Sequence, residues 1–214
     1  MFEIKSLPMN MLEENCYIIS DETCEAVVID CGALYEKDRQ NIIRYVENRR
    51  LKIKHHICTH MHYDHCFGAG FMQETFHVSP EFNIADESVY YGEGDEIFGN
   101  LREIMRRGPR PAPERFLNEG DKILFGSHTL EVLNTPGHTQ GGVCFYCQKE
   151  KALFSGDTLF HCSIGRTDFP GGNAELLCEN IRKKLFSLPD DVMVYPGHGT
   201  YTNIGYEKLN NPYV

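Results

Sequence analysis

Three imidazoles and a carboxylate stand within six residues in the stretch Thr59-His60-Met61-His62-Tyr63-Asp64-His65, directly after the apolar run Ile53 to Cys58. Imidazole and carboxylate are the preferred ligands of zinc and similar divalent metals. In an extended or turning segment His60 and His62 point the same way, so both reach one metal. Asp64 and His65 lie one turn further on and can face a second. A chain with this stretch must fold so that a strand end opens onto a metal-binding loop.

Three later residues extend the set. His138 sits in Asn134-Thr135-Pro136-Gly137-His138, Asp157 in Ser155-Gly156-Asp157, and His198 in Tyr195-Pro196-Gly197-His198. Each follows a β-like apolar run: Leu130 to Leu133, Ala152 to Phe154, and Val192 to Tyr195. Each also follows a glycine, which lets the backbone turn sharply at a strand end. Loops at strand ends are where α/β folds gather their chemistry. Taken singly, a His after Pro-Gly is only a turn residue; together with the first cluster these make a set of seven ligands.

The pattern His-x-His-x-Asp-His, met by His60 to His65, resembles the metallo-β-lactamase superfamily, and His138, Asp157 and His198 follow in that family's order. The branch most resembled is type II glyoxalase, the hydroxyacylglutathione hydrolases. Gly156-Asp157-Thr158-Leu159-Phe160 leading to Gly165-Arg166-Thr167-Asp168-Phe169 supports this, as does the tail Thr202-Asn203-Ile204-Gly205-Tyr206-Glu207-Lys208 with Asn211-Pro212. The Gly-Arg-Thr-Asp-Phe stretch is shared with persulfide dioxygenase-like proteins and does not separate the two. The resemblance implies an αβ/βα four-layer sandwich of two mixed β-sheets with outer helices, and metals at one edge between the sheets.

Composition agrees with a single soluble α/β domain over residues 1–214. The net charge of −10 argues against a nucleic-acid partner, since no basic stripe balances it. No apolar run approaches a membrane span and the start is no signal peptide. The nine cysteines are therefore expected as reduced thiols, which places the protein in the cytoplasm. Cys144 and Cys147 have redox-motif spacing but lie within an alternating strand, so they are read as structural. Cys58 and Cys66 flank the metal cluster without being assigned as ligands. Arg106-Arg107-Gly108-Pro109-Arg110 is read as a solvated helix end.

Strands are expected at Phe2 to Leu7, Cys16 to Ser20, Glu25 to Asp30 and Ile53 to Cys58, with a helix over Glu36 to Arg50. A helix is expected to continue over Asp64 to Phe76. Residues Pro80 to Pro113 show no clear period and read as an insertion beside the active site, with a helix from Asp95 to Arg107. Strands resume at Arg115 to Leu117, Lys122 to Phe125 and His128 to Leu133, then Gly142 to Cys147 and Lys151 to Phe154. Asn173 is expected to cap a helix to Leu185, followed by a strand at Val192 to Tyr195 and a helix at Asn203 to Leu209.

The resemblance implies that His60, His62 and His138 hold one divalent ion and Asp64, His65 and His198 a second, with Asp157 bridging. Zinc is the expected metal, with iron or manganese as alternatives. Asp64 and Asp157 leave such a centre with a positive excess that suits a small anionic substrate. Water bound there has its pKa lowered to roughly 7. The hydroxide is expected to attack a thioester carbonyl, as of an S-lactoylglutathione-like substrate, with a thiolate leaving unaided. Arg166 is expected to clamp a substrate carboxylate, with a salt bridge to Asp168 as the alternative. Tyr63 is expected to line the pocket or to pack. His161 is read as solvated, and His55, His56, His77 and His128 as non-ligands. The chain ends before the C-terminal helical segment that supplies glutathione contacts in full-length type II glyoxalases. Three other readings compete: a persulfide dioxygenase with one iron on His60, His138 and Asp157; a β-lactam hydrolase, disfavoured by the lack of an export signal and by the carboxylate at the bridging position; and a non-catalytic binding protein on the same scaffold.

Overall fold

The computed structural model describes residues 2–92 and 109–214. Strand alternation sorts the apolar side chains onto two faces. Tyr17 and Ile19 of β2 (Glu14–Ser20) and Val27 and Ile29 of β3 (Glu25–Ile29) point into one core, while Cys16, Ile18, Ala26 and Val28 point into another. A sheet covered on both faces has strands that read as near-continuous apolar runs, and these do.

The first sheet runs in sequence order: β1 (Glu3–Met9), β2, β3, β4 (Lys52–Ile57), β5 (Pro80–Phe82) and β6 (Arg115–Phe116). Its first three strands pair antiparallel and the rest parallel. The second sheet comprises β7 (Lys122–Phe125), β8 (His128–Asn134), β9 (Val143–Cys147), β10 (Ala152–Gly156), β13 (Met193–Pro196) and β14 (Thr202–Asn203). Only β10 and β13 pair parallel there. A small hairpin, β11 (Leu159–Phe160) and β12 (Ser163–Ile164), lies apart.

The sheets face each other across Tyr17, Ile19, Val27, Phe125, Val132, Phe145 and Phe154. Outside the first sheet, Ile42 and Val46 of α1 (Glu36–Arg49) and Phe71 and Met72 of α3 (Ala69–Phe76) cover Cys16, Ile18 and Val28. Outside the second, Leu177 of α5 (Ala174–Asn180), Ile181 and Leu185 of the π turn that continues it, and Ile204 of α6 (Ile204–Asn210) cover Cys144, Tyr146 and Leu153. The architecture is the four-layer sandwich of two mixed sheets with outer helices. Cys144 and Cys147 fall on opposite faces of β9, one under α5 and the other between the sheets, so their spacing brings no thiol pair together.

Two expected elements come out differently. The helix expected over Asp64 to Phe76 breaks into α2 (Tyr63–Cys66) and α3 at Phe67-Gly68. There the chain end after β3 intrudes: Cys31 N donates to His65 O and Gly68 N donates to Cys31 O, both at 2.8 Å. A Cβ on Gly68 would lie 2.4 Å from Cys31 Sγ, so the approach needs glycine. The stretch from Pro80 is not merely an insertion either. It opens with β5, whose Phe82 is fully buried, then a 3-10 turn Ile84–Asp86 and α4 (Glu87–Tyr91). The helix expected from Asp95 to Arg107 lies outside the described residues.

Candidate metal centre

The loop after β4 carries His60 and His62, and α2 carries Asp64 and His65. The turns that follow β8, β10 and β13 carry His138, Asp157 and His198. Those three strands run parallel to one another, so their C-terminal ends share one edge of the second sheet. Val143 N donates to Thr59 O at 2.8 Å and Asn15 N donates to Gly197 O at 2.7 Å, joining the two sheets at that edge. Gly156 turns there with φ 48°, and a Cβ on it would meet Thr59 Oγ1 at 2.2 Å. Gly197 is equally confined, because a Cβ would stand 2.4 Å from Asp157 Oδ1 and 2.7 Å from His65 Cε1.

All seven residues converge. His62 Nδ1 and His138 Nε2 are 2.8 Å apart, and the His60 ring lies 4.8 Å from His62 and 4.7 Å from His138, centroid to centroid. His65 Nε2 lies 3.3 Å from His198 Nε2 and 3.6 Å from Asp64 Oδ2. His198 Nε2 lies 3.2 Å from Asp64 Oδ2. Asp157 stands between the groups: Oδ1 is 3.4 Å from His65 Nε2, and Oδ2 is 3.6 Å from His138 Nε2 and 3.7 Å from His198 Nε2. Ligand atoms of His60, His62 and His138 lie within 4.8 Å of one another, as do those of Asp64, His65 and His198, and those of His60, His65 and Asp157. Such spans match ligands held about 2.0–2.2 Å from a shared ion. His60 Nε2 and Asp157 Oδ1 are buried without a hydrogen bond, a cost that a cation removes. The donor set therefore fits divalent metal, with imidazole and carboxylate as the ligand types.

The electrostatics divide the imidazoles. Burial, reinforced by neighbouring imidazoles, holds His60 well below the ordinary histidine range and His62 down at about 3. Both stay neutral, as metal ligation requires. Burial also opposes charge on His65, but Asp64, Asp157 and Asp30 outweigh it and push that imidazole well upward. His198 is raised the same way, by Asp64 and Asp157 against burial. Asp64 is held below the carboxylate range because His65 and His198 override its burial. A cation at Asp64, His65 and His198 must therefore displace protons that His60 and His62 do not hold.

Each of four imidazoles is oriented through its second nitrogen. His65 Nδ1 faces Asp30 Oδ2 at 3.0 Å, His138 Nδ1 faces Arg166 O at 2.6 Å, and His198 Nδ1 faces Leu12 O at 3.1 Å. His60 Nδ1 faces Thr59 Oγ1 at 3.1 Å, and Thr59 in turn donates to Asp30 from both N and Oγ1 at 2.7 Å. Asp30 is thus a shared support that the motif reading missed; its only sequence signal is a carboxylate ending the apolar run Ala26-Val27-Val28-Ile29. Asp86, also missed, is fully buried. Its Oδ2 accepts from Met61 N at 3.1 Å and Thr139 Oγ1 at 2.8 Å, and its Oδ1 from Gly141 N at 2.6 Å. It ties the His60–His62 loop to the loop after His138.

The two residues expected to meet substrate are both engaged. Arg166 forks onto Asp168, Nε to Oδ1 at 2.8 Å and NH2 to Oδ2 at 2.7 Å, and stacks 3.9 Å over the Phe169 ring. This is the salt-bridge alternative, and both partners are more than half exposed. Tyr63 is 4% exposed and lies beneath Arg110, whose guanidinium is 4.7 Å from its ring. Its ring is a packing surface. His161 is exposed, and His55, His56, His77 and His128 lie outside the three ligand groups.

The metallo-β-lactamase superfamily pattern matches residues 10–198, which takes in every residue of the centre. The chain belongs to the metallo-β-lactamase superfamily. Hydroxyacylglutathione hydrolase GloC of Haemophilus influenzae is 36% identical over 217 residues, covering 99% of this chain and 97% of that protein. The B3 metallo-β-lactamase BLEG-1 superposes with a TM-score of 0.86 at 32% identity, covering 99% of each chain. TTHA1623, solved in a di-iron-bound form, superposes with a TM-score of 0.84 at 31% identity, covering 98% of this chain and 100% of that one. As a superfamily member the protein is a metallo-hydrolase in general type. No described helix is long and apolar enough to cross a membrane.

Proposed function

We propose that this metallo-β-lactamase superfamily member hydrolyses thioesters, S-acyl glutathione being the favoured class, to a carboxylate and a free thiol. The observation that carries the reading is the pair of adjacent ligand groups with Asp157 reaching both. The likeness to hydroxyacylglutathione hydrolase GloC supports the substrate class.

Two divalent cations bound there, zinc first and iron or manganese as alternatives, supply Lewis-acid polarisation and hydroxide at neutral pH. His60, His62 and His138 would hold one, Asp64, His65 and His198 the other, and Asp157 would reach both. Asp30 and Thr59 fix the rings of His65 and His60, so these ligands would receive the cations without reorganising. Asp64 and Asp157 bring fewer negative charges than two divalent ions bring positive, so the centre attracts an anionic acyl thioester. A thiolate is a good leaving group, so the reaction requires no dedicated proton donor. Arg166 recognises a substrate carboxylate by exchanging it for Asp168; an exposed ion pair is worth only about 0–1 kcal/mol, so the exchange is cheap. In this reading residues 1–214 act as one domain in the cytoplasm on a small substrate, without nucleic acid or membrane.

A second reading, a persulfide dioxygenase with one iron on His60, His138 and Asp157, draws on the likeness to ETHE1 from Myxococcus xanthus, 28% identical with a TM-score of 0.79. Metal analysis of anaerobically purified protein, paired with S-lactoylglutathione hydrolysis and persulfide-dependent oxygen uptake, separates them. Thioester turnover by protein holding two cations per chain is the expected result. Protein filled with two cations, inert on every acyl thioester yet consuming oxygen with glutathione persulfide once given iron, would overturn the proposal in favour of the dioxygenase.

A further inference from the structure

We propose that His161, Cys162 and Glu207 form a second metal site, apart from the seven-residue centre and suited to a borderline cation such as Zn2+. Ligand atoms of the three lie within 4.8 Å of one another. His161 and Cys162 occupy the two-residue tip of the β11–β12 hairpin, and Glu207 projects from α6. Thiolate, imidazole and carboxylate together make a set that zinc takes readily, with a fourth position left to solvent.

The local structure presents these groups together. Cys162 has φ 52°, a region that residues with a Cβ seldom occupy. In that conformation its N donates to Glu207 Oε2 at 3.0 Å, while its Sγ stands 4.0 Å from His161 Nε2. Glu207 is 1% exposed and rigidly held, accepting also from Thr202 Oγ1 at 2.6 Å and Asn211 Nδ2 at 2.9 Å. A carboxylate offers about four lone-pair sites. These three hydrogen bonds leave one for a cation, so Glu207 can ligate without giving up its supports. His161 is stacked on Tyr206, centroids 5.2 Å apart and planes 16° from parallel. On binding, the thiol gives its proton to solvent as the sulfur–metal bond forms. The Tyr206 hydroxyl, 3.7 Å from Sγ, is placed to donate to the resulting thiolate. A cation here fastens the hairpin to α6, and with it Phe160, whose ring packs edge-on to His198 at 6.3 Å.

Cobalt distinguishes this site from the main centre, which offers only nitrogen and oxygen. Chelator-treated full-length protein is titrated with Co2+ while near-ultraviolet absorption is followed. A thiolate-to-cobalt charge-transfer band is expected in the wild type. Cys162→Ser should abolish it, and His161→Ala, at an exposed position, should raise the Co2+ concentration it needs by at least about tenfold. Cys24→Ser and Cys178→Ser should leave it in place, and all four variants should still fill the main centre. No band in protein whose main centre is filled, or a band that survives Cys162→Ser, overturns the proposal. A band lost with Cys162 but indifferent to His161 also overturns it, reducing the site to a lone thiol.

Discussion

Among the described residues Asp157 is the one carboxylate within reach of both ligand groups, while His65 leans toward one of them. Asp157→Ala should therefore lose both cations, whereas His65→Ala should mainly empty the Asp64–His198 side. Metal content after gel filtration decides this, and two tightly held cations in the Asp157 variant would refute the bridging role. Arg166 offers a different test. Its backbone carbonyl orients His138, which any residue could do, so only the guanidinium distinguishes arginine. Arg166→Lys removes the planar fork. KM for glutathione thioesters should rise with kcat little changed if the contact is equal in ground and transition states. Unaltered kinetics in a folded variant would leave Arg166 as the partner of Asp168 alone.

At the scale of elements, the 3-10 turn after β5 is the unforeseen contributor. Asp86 braces the loops that bear His60, His62 and His138, and none of its described hydrogen bonds goes to Asp64, His65 or His198. Asp86→Ala should weaken binding at the first group by about 10–100-fold and spare the second, as calorimetric titration of metal-free protein would register. Equal loss at both would mean general destabilisation. Strand β4 carries its own liability in His56, fully buried, with burial pushing its pKa from the ordinary 6.5 down to about 4. The unfolded chain takes up that proton first, so its contribution is intact above the unfolded value and is lost as pH falls towards the folded one. The loss amounts to roughly 3 kcal/mol across that window. Denaturant unfolding of metal-free wild type and His56→Leu should show the wild type losing this much more on acidification; parallel curves would contradict it. What the sequence made legible follows the same divide. The ligands were readable because each sits in a short motif beside a strand end, and strands and outer helices because their periods are local. Asp30 and Asp86 were not, since their partners lie 25 to 55 residues away along the chain. Nor was the break at Gly68, which the approach of Cys31 imposes.

For the whole molecule, the ligands divide between the sheets: His60, His62, Asp64 and His65 come from the first, His138, Asp157 and His198 from the second. Cations bound across that boundary stabilise only the docked state, by RT ln(1 + [L]/Kd), or about 4 kcal/mol at a thousandfold excess over Kd. Chelation should lower Tm markedly in the wild type and hardly at all in Asp157→Ala; equal shifts in both would show that the metals do not bridge the halves. The sheets are also contiguous in sequence, β1 to β6 and then β7 to β14, joined through the short turn at Leu117 to Asp121. A ribosome therefore releases one complete sheet, carrying a partial set of ligands, before the other exists. Metal capture at full affinity must wait for the second half, which alone supplies His138, Asp157 and His198.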